Sequence, residues 1–235
     1  MIDLSKVADP YERRARLYPS LICLFPLIVG VYSSFLSLYK SMSGLVALAI
    51  AVGLLQLFSH LARDRGKKIE SGLFKEWGGM PSIALFRHSD SNIPNPAKVR
   101  YHEMVSGESG IKAPTIESEA ASPHVADEIY QSWSDYLRGK TRNTEKYPMV
   151  FKENVNYGFW RNLLGIKGYC ILSGLIALLL IWVPTYNSGI ISQEQIGISC
   201  SIIVYIIVFI FVVNRSWVKV TAYAYAKQLL ESLNA

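Results

Sequence analysis

Apolar residues in this chain gather into four stretches with no Asp, Glu, Lys or Arg: residues 17–39, 41–62, 168–193 and 195–214. A helix needs roughly 20 apolar residues to cross the hydrocarbon core of a bilayer, and each stretch meets that length. The pattern predicts four spans in two hairpins, the first turning at Lys40–Gly44 and the second within Pro184–Ile196. Between the hairpins the pattern changes to separate helices with punctuated ends. Span two is expected to run on through Arg65–Trp77 and stop at Gly78-Gly79-Met80-Pro81. A short helix follows from Pro81 to about Arg87, and Asn95-Pro96 starts another from Pro96 to Val105. Residues 106–121, with Gly107, Gly110, Pro114 and several serines, read as a loose loop. Ser122-Pro123 begins a helix with the apolar face Val125, Ile129, Trp133 and Leu137, and Gly139 is its expected C-cap. Pro148 opens a helix that carries Phe151, Val155, Phe159 and Leu163 straight into span three. Span four is expected to emerge unbroken as Ser216–Leu233, with Trp217 and Tyr223 near the interface.

The fold class is therefore an all-α integral membrane protein, with two transmembrane hairpins flanking a mainly helical domain. Its divisions are an arm at 1–16, a hairpin at 17–62, the central domain at 63–167, a second hairpin at 168–214 and a C-terminal helix at 215–235. Composition sharpens this picture. The 18% charge of the 235 residues averages 91 residues that carry none and 144 that carry all 42. That excludes an ordinary soluble domain, a disordered chain and a disulfide-stapled secreted module. Basic residues mark the cytoplasmic ends of the spans: Arg13, Arg14 and Arg16; Arg63, Arg65, Lys67 and Lys68; Arg161 and Lys167; Arg215 and Lys219. The short connections carry only Lys40, so both termini and residues 63–167 face the cytoplasm. The first span lacks an A-x-A cleavage pattern and is followed at once by a second, so it reads as a span retained in the mature protein. Distributed this way, the net charge of +6 is no evidence for nucleic-acid binding.

Candidate chemistry is sparse. GxSxG, Walker, HExxH and GxGxxG motifs are absent, Glu117 and Glu119 fall in the loose loop, and no catalytic residue or cofactor is expected. Cys23, Cys170 and Cys200 lie in spans and read as small packing residues. Arg87-His88-Ser89-Asp90 and Tyr101-His102-Glu103 offer nitrogen and oxygen donors but no metal-ligand spacing. Two constellations stand out. Ala49, Gly53, Gln56 and His60 share one face of span two, and two readings fit them: close helix packing, or the lining of an ion path. Span one carries a matching small face, Pro26, Gly30, Ser33 and Ser37, for docking against it, while spans three and four look peripheral. The second constellation joins Arg63, Arg65, Lys67 and Lys68 to Arg87, His88, Lys98 and Arg100, interleaved with Trp77, Phe86 and Tyr101. Cations bind phosphate and aromatic faces stack on bases, so the set is a candidate nucleotide site. For the four residues beside span two, topology and anionic lipid are the competing explanation.

Residues 63–68 (Arg-Asp-Arg-Gly-Lys-Lys), Leu73–Pro81, Leu85–Asp90 and Lys98–His102, with two hairpins around a cytoplasmic domain, resemble the transmembrane effectors of bacterial anti-phage systems, and most the channel effector of Hailong-type defence. The resemblance implies a homotetramer in the lipid bilayer of the bacterial inner membrane, paired with a nucleotidyltransferase whose cyclic or linear oligonucleotide product controls it. The expected function is a ligand-gated channel, not an enzyme. The alternative is a non-conducting adaptor that recruits a soluble partner through the Trp133 helix and the loop around Gly110.

Overall fold

The computed structural model describes residues 9–34 and 44–235. All regular structure among them is helical: α1 (Pro10–Ser34), α2 (Gly44–Glu76), α3 (Pro81–Ala84), α4 (Asn95–Ser109), α5 (Ile116–Ala121), α6 (Pro123–Lys140), α7 (Pro148–Gly165), α8 (Lys167–Ser188), α9 (Gln193–Phe211) and α10 (Arg215–Glu231). The chain divides into two compact units, Met1–Ile69 with Gly158–Trp217 and Glu70–Tyr157 with Val218–Ala235. Among the described residues, α1 and α9 are each long and apolar enough to cross a membrane, and the bent pair α7–α8 makes a third candidate. The second apolar window begins at 41–43, outside the described residues, as do Ser37 and the expected turn from Lys40.

Three prolines lie inside the apolar helices of the first unit, and they explain how it is joined. A helical proline has no N–H to give the carbonyl four residues earlier. Pro19, Pro26 and Pro184 therefore leave Ala15, Ile22 and Leu180 without that partner. Each carbonyl takes a side-chain donor from another helix. Asn162 Nδ2 donates to Ala15 O at 2.7 Å, Tyr205 Oη donates to Ile22 O at 3.0 Å, and Ser34 Oγ donates to Leu180 O. In an apolar medium every backbone polar group must be satisfied from within, and this unit does so at its weakest points. Asn162→Leu is expected to destabilise the detergent-solubilised protein by about 1–3 kcal/mol, because it leaves the buried Ala15 carbonyl bare. A thermal melt unchanged by the substitution would contradict that role.

The helix pairing differs from the expected one. The small face of α1 packs on α8, not on α2: a Cβ on Gly30 would lie 2.9 Å from Ala177 Cα. Small residues on both sides allow that approach. The helix α8, from the stretch expected to be peripheral, is consequently central in its unit, with Ala177 and Ile181 fully buried. Nor does α7 run straight into α8. The two meet at 57°, around the buried Ile166 and beside Gly165, which presses on the backbone of α2 at Gly66. The helix α9 also stops rather than continuing. Residues 212–214 break it, and Asn214 Oδ1 accepts from Trp217 N at 3.3 Å at the start of α10. Lys167 Nζ closes the broken end by donating to Ile210 O at 2.9 Å and Val213 O at 2.8 Å. At its far end α8 passes through Pro184 to Ser188, so the connection to α9 is shorter than expected.

In the second unit, α3, α6 and α7 begin with proline at Pro81, Pro123 and Pro148, as the sequence predicts. The helix α4 begins at Asn95 with Pro94 as its N-cap, and ends at Gly110, whose φ of 73° suits glycine. The expected loose loop is mostly structured: α4 extends to Ser109, and Thr115 caps α5 by accepting from Ser118 N. The apolar face of α6 is also rotated from the expected one. Ala126, Tyr130, Trp133 and Leu137 are buried, Val125 is exposed, and Thr141, not Gly139, ends the helix. The core of the unit is Phe86, Val105, Tyr130, Trp133 and Leu137, closed by Leu229 and Leu230 of α10.

Candidate functional site

The loop Leu85–Asp90, at the centre of the expected ligand-binding set, is a hub for the second unit. Its chain turns back between α3 and α4, which leaves several backbone groups without helical partners. Side chains from two helices supply them. Lys98 Nζ, on α4, donates to Arg87 O at 2.7 Å and to Asp90 O. One turn on, His102 Nε2 donates to Phe86 O at 2.7 Å. From α5, the Glu119 carboxylate accepts His88 N at 2.9 Å and Ser89 N at 3.2 Å, and also Tyr130 Oη at 2.6 Å. Arg87 forms a bidentate pair with Asp127 of α6, both contacts 2.8 Å, and donates a third bond to Gly78 O at 2.6 Å. Its guanidinium therefore links the turn after α2 to α6. A Cβ on Gly79 would sit 2.7 Å from Arg87 Nη2, and the φ of 140° there also calls for glycine.

Electrostatics follow from this geometry. The Asp127 hydrogen bonds hold the Arg87 pKa above its ordinary value. Burial pushes Lys98 down, and pushes His102 down to about 4. Burial opposes ionisation of Glu119, but the hydrogen bonds from Tyr130, His88 and Ser89 prevail and leave its pKa lowered. Tyr130 is raised by burial and by the adjacent Glu119. The result is a neutral histidine and an ionised carboxylate, each engaged by the fold. An open cleft of about 550 Å³ lies over Arg87, His88, Ser89, Glu119 and Asp127, with Ile116, Ala120 and Pro123 as its apolar wall. Most of its polar groups already bond to one another, and His88 Nε2 donates to Pro114 O at 2.9 Å. No group of three His, Cys, Asp or Glu able to hold a metal occurs among the described residues.

The other members of the expected set are dispersed. Phe86 is fully buried, with its ring 5.3 Å from Trp133, and Tyr101 is buried as well. Arg100 is exposed beside the Tyr101 ring, at 5.6 Å. Trp77 is half-buried against Phe74 at 5.9 Å. Arg63, Arg65, Lys67 and Lys68 belong to the first unit. There Arg65 lies 5.3 Å over the Tyr169 ring, Lys67 and Lys68 are exposed, and Arg63 Nε is buried without a hydrogen-bond partner.

On α2, Ala49, Gly53, Gln56 and His60 are all exposed along one face. Gln56 Nε2 and His60 Nε2 are 3.3 Å apart, and a Cβ on Gly53 would meet nothing within 4 Å. Among the residues of this helix whose burial is described, the buried ones, Ser59, Ala62, Gly66 and Leu73, all come later, and those from Val46 to Leu54 other than Ala47 are exposed. Sequence reasoning missed Glu119, Asp127, Asn162 and Tyr205. Only the prolines inside the apolar helices signalled that donors such as the last two were needed. No protein-family model, curated protein or solved structure matches the chain.

Proposed function

We propose that this chain is an oligomeric channel or pore-forming effector of the bacterial inner membrane, opened or closed by a ligand at its second unit. In this reading it crosses the bilayer four times, with both termini and residues 63–167 in the cytoplasm. The observation that carries it is the bare half of α2, where Gln56 and His60 face outward beside Ala49 and Gly53. An amide and an imidazole facing lipid are costly, whereas facing water or another helix they are not. Copies of the chain arranged around that face supply both surroundings. The tetramer, the oligonucleotide signal and the partner nucleotidyltransferase rest on the resemblance to Hailong-type effectors alone. Of the expected basic set in the second unit, Arg100 is exposed and supports a contact with an anionic ligand, whereas Arg87 and Lys98 serve the loop.

Ion flux through the full chain in liposomes, with and without a panel of nucleotides, tests the reading. Substituting Gln56→Leu and His60→Leu together is expected to lower flux about tenfold or more, since an apolar constriction dewets. Absence of flux in every condition would overturn the channel. The adaptor is the second reading. Trp133 itself is fully buried, but the helix that carries it lines an open groove of about 490 Å³ between Lys112–Pro114 and Val125–Ile129, which offers an apolar surface. An adaptor would retain its cellular activity in the Gln56→Leu, His60→Leu variant.

A further inference from the structure

The stripe that Ala49, Gly53, Gln56 and His60 mark on α2 continues past the end of the apolar stretch at residue 62. One turn after His60 comes Asp64, on the same face and also exposed. Residues four apart are neighbours on a helix, with Cβ atoms about 6 Å apart. Side chains lean towards the helix N-terminus, so Asp64 leans towards His60 as His60 leans towards Gln56. The 3.3 Å contact between Gln56 Nε2 and His60 Nε2 engages one ring nitrogen, and Nδ1 has no partner among the described residues. Asp64 has no hydrogen bond or ion pair among them either, although Arg63, Arg65, Lys67 and Lys68 flank it in the sequence. Two of these bases are engaged elsewhere: Arg65 lies 5.3 Å over the Tyr169 ring, and Arg63 Nε is buried. A free imidazole nitrogen and a free carboxylate therefore share one exposed face.

We propose that His60 and Asp64 are half of a divalent transition-metal site, suited to Zn²⁺, which the same two residues of a second copy of the chain complete. The inference rests on the reading that copies meet along this face of α2. Zinc takes four ligands in a tetrahedron, with imidazole nitrogens at about 2.0–2.1 Å and carboxylate oxygens at about 2.0–2.2 Å. Two chains supply two of each, and the two carboxylates balance the charge of the ion. One chain supplies only two ligands, in keeping with the lack of any three-ligand group among the described residues. Exposed Lys67 and Lys68 oppose a cation here, but solvent screens them, whereas the carboxylates would touch it. The site falls where the apolar stretch of α2 gives way to charge, which in the channel reading is the cytoplasmic mouth. A metal shared there clamps neighbouring copies together and narrows the conduit. His124 and Glu128 form a second exposed pair at the same spacing, 3.4 Å apart, on the second unit. They lie away from this face and serve as an internal comparison.

The full chain, free of any polyhistidine tag, is dialysed in detergent against zinc chloride for metal content, and its ion flux in liposomes is measured with and without the same salt. The expected result is uptake of one Zn²⁺ per two chains at micromolar concentration. Binding should weaken at least tenfold in His60→Ala and in Asp64→Asn, and stay unchanged in His124→Ala. Zinc should lower the flux of the native chain at least tenfold, and Asp64→Asn should lose that sensitivity. No uptake at micromolar zinc, uptake of one ion per chain, or uptake that His124→Ala abolishes would each overturn the shared site. Flux that persists in such a protein, indifferent to zinc, leaves the channel reading standing without the metal. Conversely, zinc bound at one ion per two chains through His60 and Asp64, with no flux in any condition, sustains the site and overturns the channel.

Discussion

Gly165→Ala is expected to disrupt the first unit, whereas Gly168→Ala, three residues away, is expected to be harmless. A Cβ at Gly165 would lie 2.5 Å from Gly66 N, 2.7 Å from Arg65 C and 2.8 Å from Gly66 Cα. All three atoms are backbone, so no rotamer change relieves the overlap, and α2 must move away from the α7–α8 corner. Overpacking of a close contact costs about 1–3 kcal/mol when side chains can yield, and a backbone clash belongs at or above the top of that range. The displaced region also carries Asn162, on which a Cβ at Gly66 would close to 2.2 Å from Oδ1. Its bond to Ala15 O would therefore weaken as well. Gly168 has nothing within 4 Å of its Cβ position, and alanine is favoured over glycine in a helix by about 1 kcal/mol. Thermal unfolding in one detergent, with size-exclusion profiles, compares the two variants. Equal melting temperatures would show that the Gly66–Gly165 crossing is not a tight contact.

Acidification from pH 6.5 towards 4 is expected to loosen the second unit through His102. Burial is the main cause of its low pKa, and the nearby His88 and Lys98 lower it further. Its bond to Phe86 O and the Glu119 carboxylate act the other way. In the unfolded chain the imidazole takes its proton near pH 6.5, but in the folded unit only near 4. Across that window the unfolded state binds more protons. The stabilisation is therefore complete above 6.5 and is lost as the pH falls to about 4. A shift of this size corresponds to about 3 kcal/mol. Glu119 adds loss in the same direction below its ordinary value of 4.5, because its folded pKa is lowered. Amide hydrogen exchange of the loop Leu85–Asp90 and near-UV circular dichroism follow the change. His102→Gln keeps a donor near Phe86 O without a titrating group and should flatten the profile between 6.5 and 4.5. A native profile already flat there would refute the assignment.

These expected effects arise at sites of different legibility. The starts of α3, α6 and α7 are written locally, since proline at a first helical position sets φ and gives up an N–H that the helix does not need. The end of α4 at Gly110 is local in the same sense. The hub around Arg87 is not. Arg87, Lys98 and Phe86 look like phosphate and base readers when only their types and spacing are considered. Their roles change because Asp127, 40 residues away, takes the guanidinium, and because the loop carbonyls take the ammonium. Glu119 shows the reverse. In a Gly- and Ser-rich segment it looks solvated, yet α5 buries it under three donors.

The sequence by itself determined where the chain is apolar, that its regular structure is helical, and where several of those helices begin. Charge exclusion and 3.6-residue periodicity act over a few turns, and a chain reads them without knowing its neighbours. It also determined that Pro19, Pro26 and Pro184 would leave carbonyls in need of donors. Only the tertiary structure decided that Asn162, Tyr205 and Ser34 meet that need, that α1 lies along α8, and that α7 and α8 meet at an angle. Those choices join residues as far as 183 apart in the chain. Hydrogen-bond demand fixes that a partner must come, whereas packing of small residues such as Gly30 and Ala177 fixes which helix is near enough to provide it.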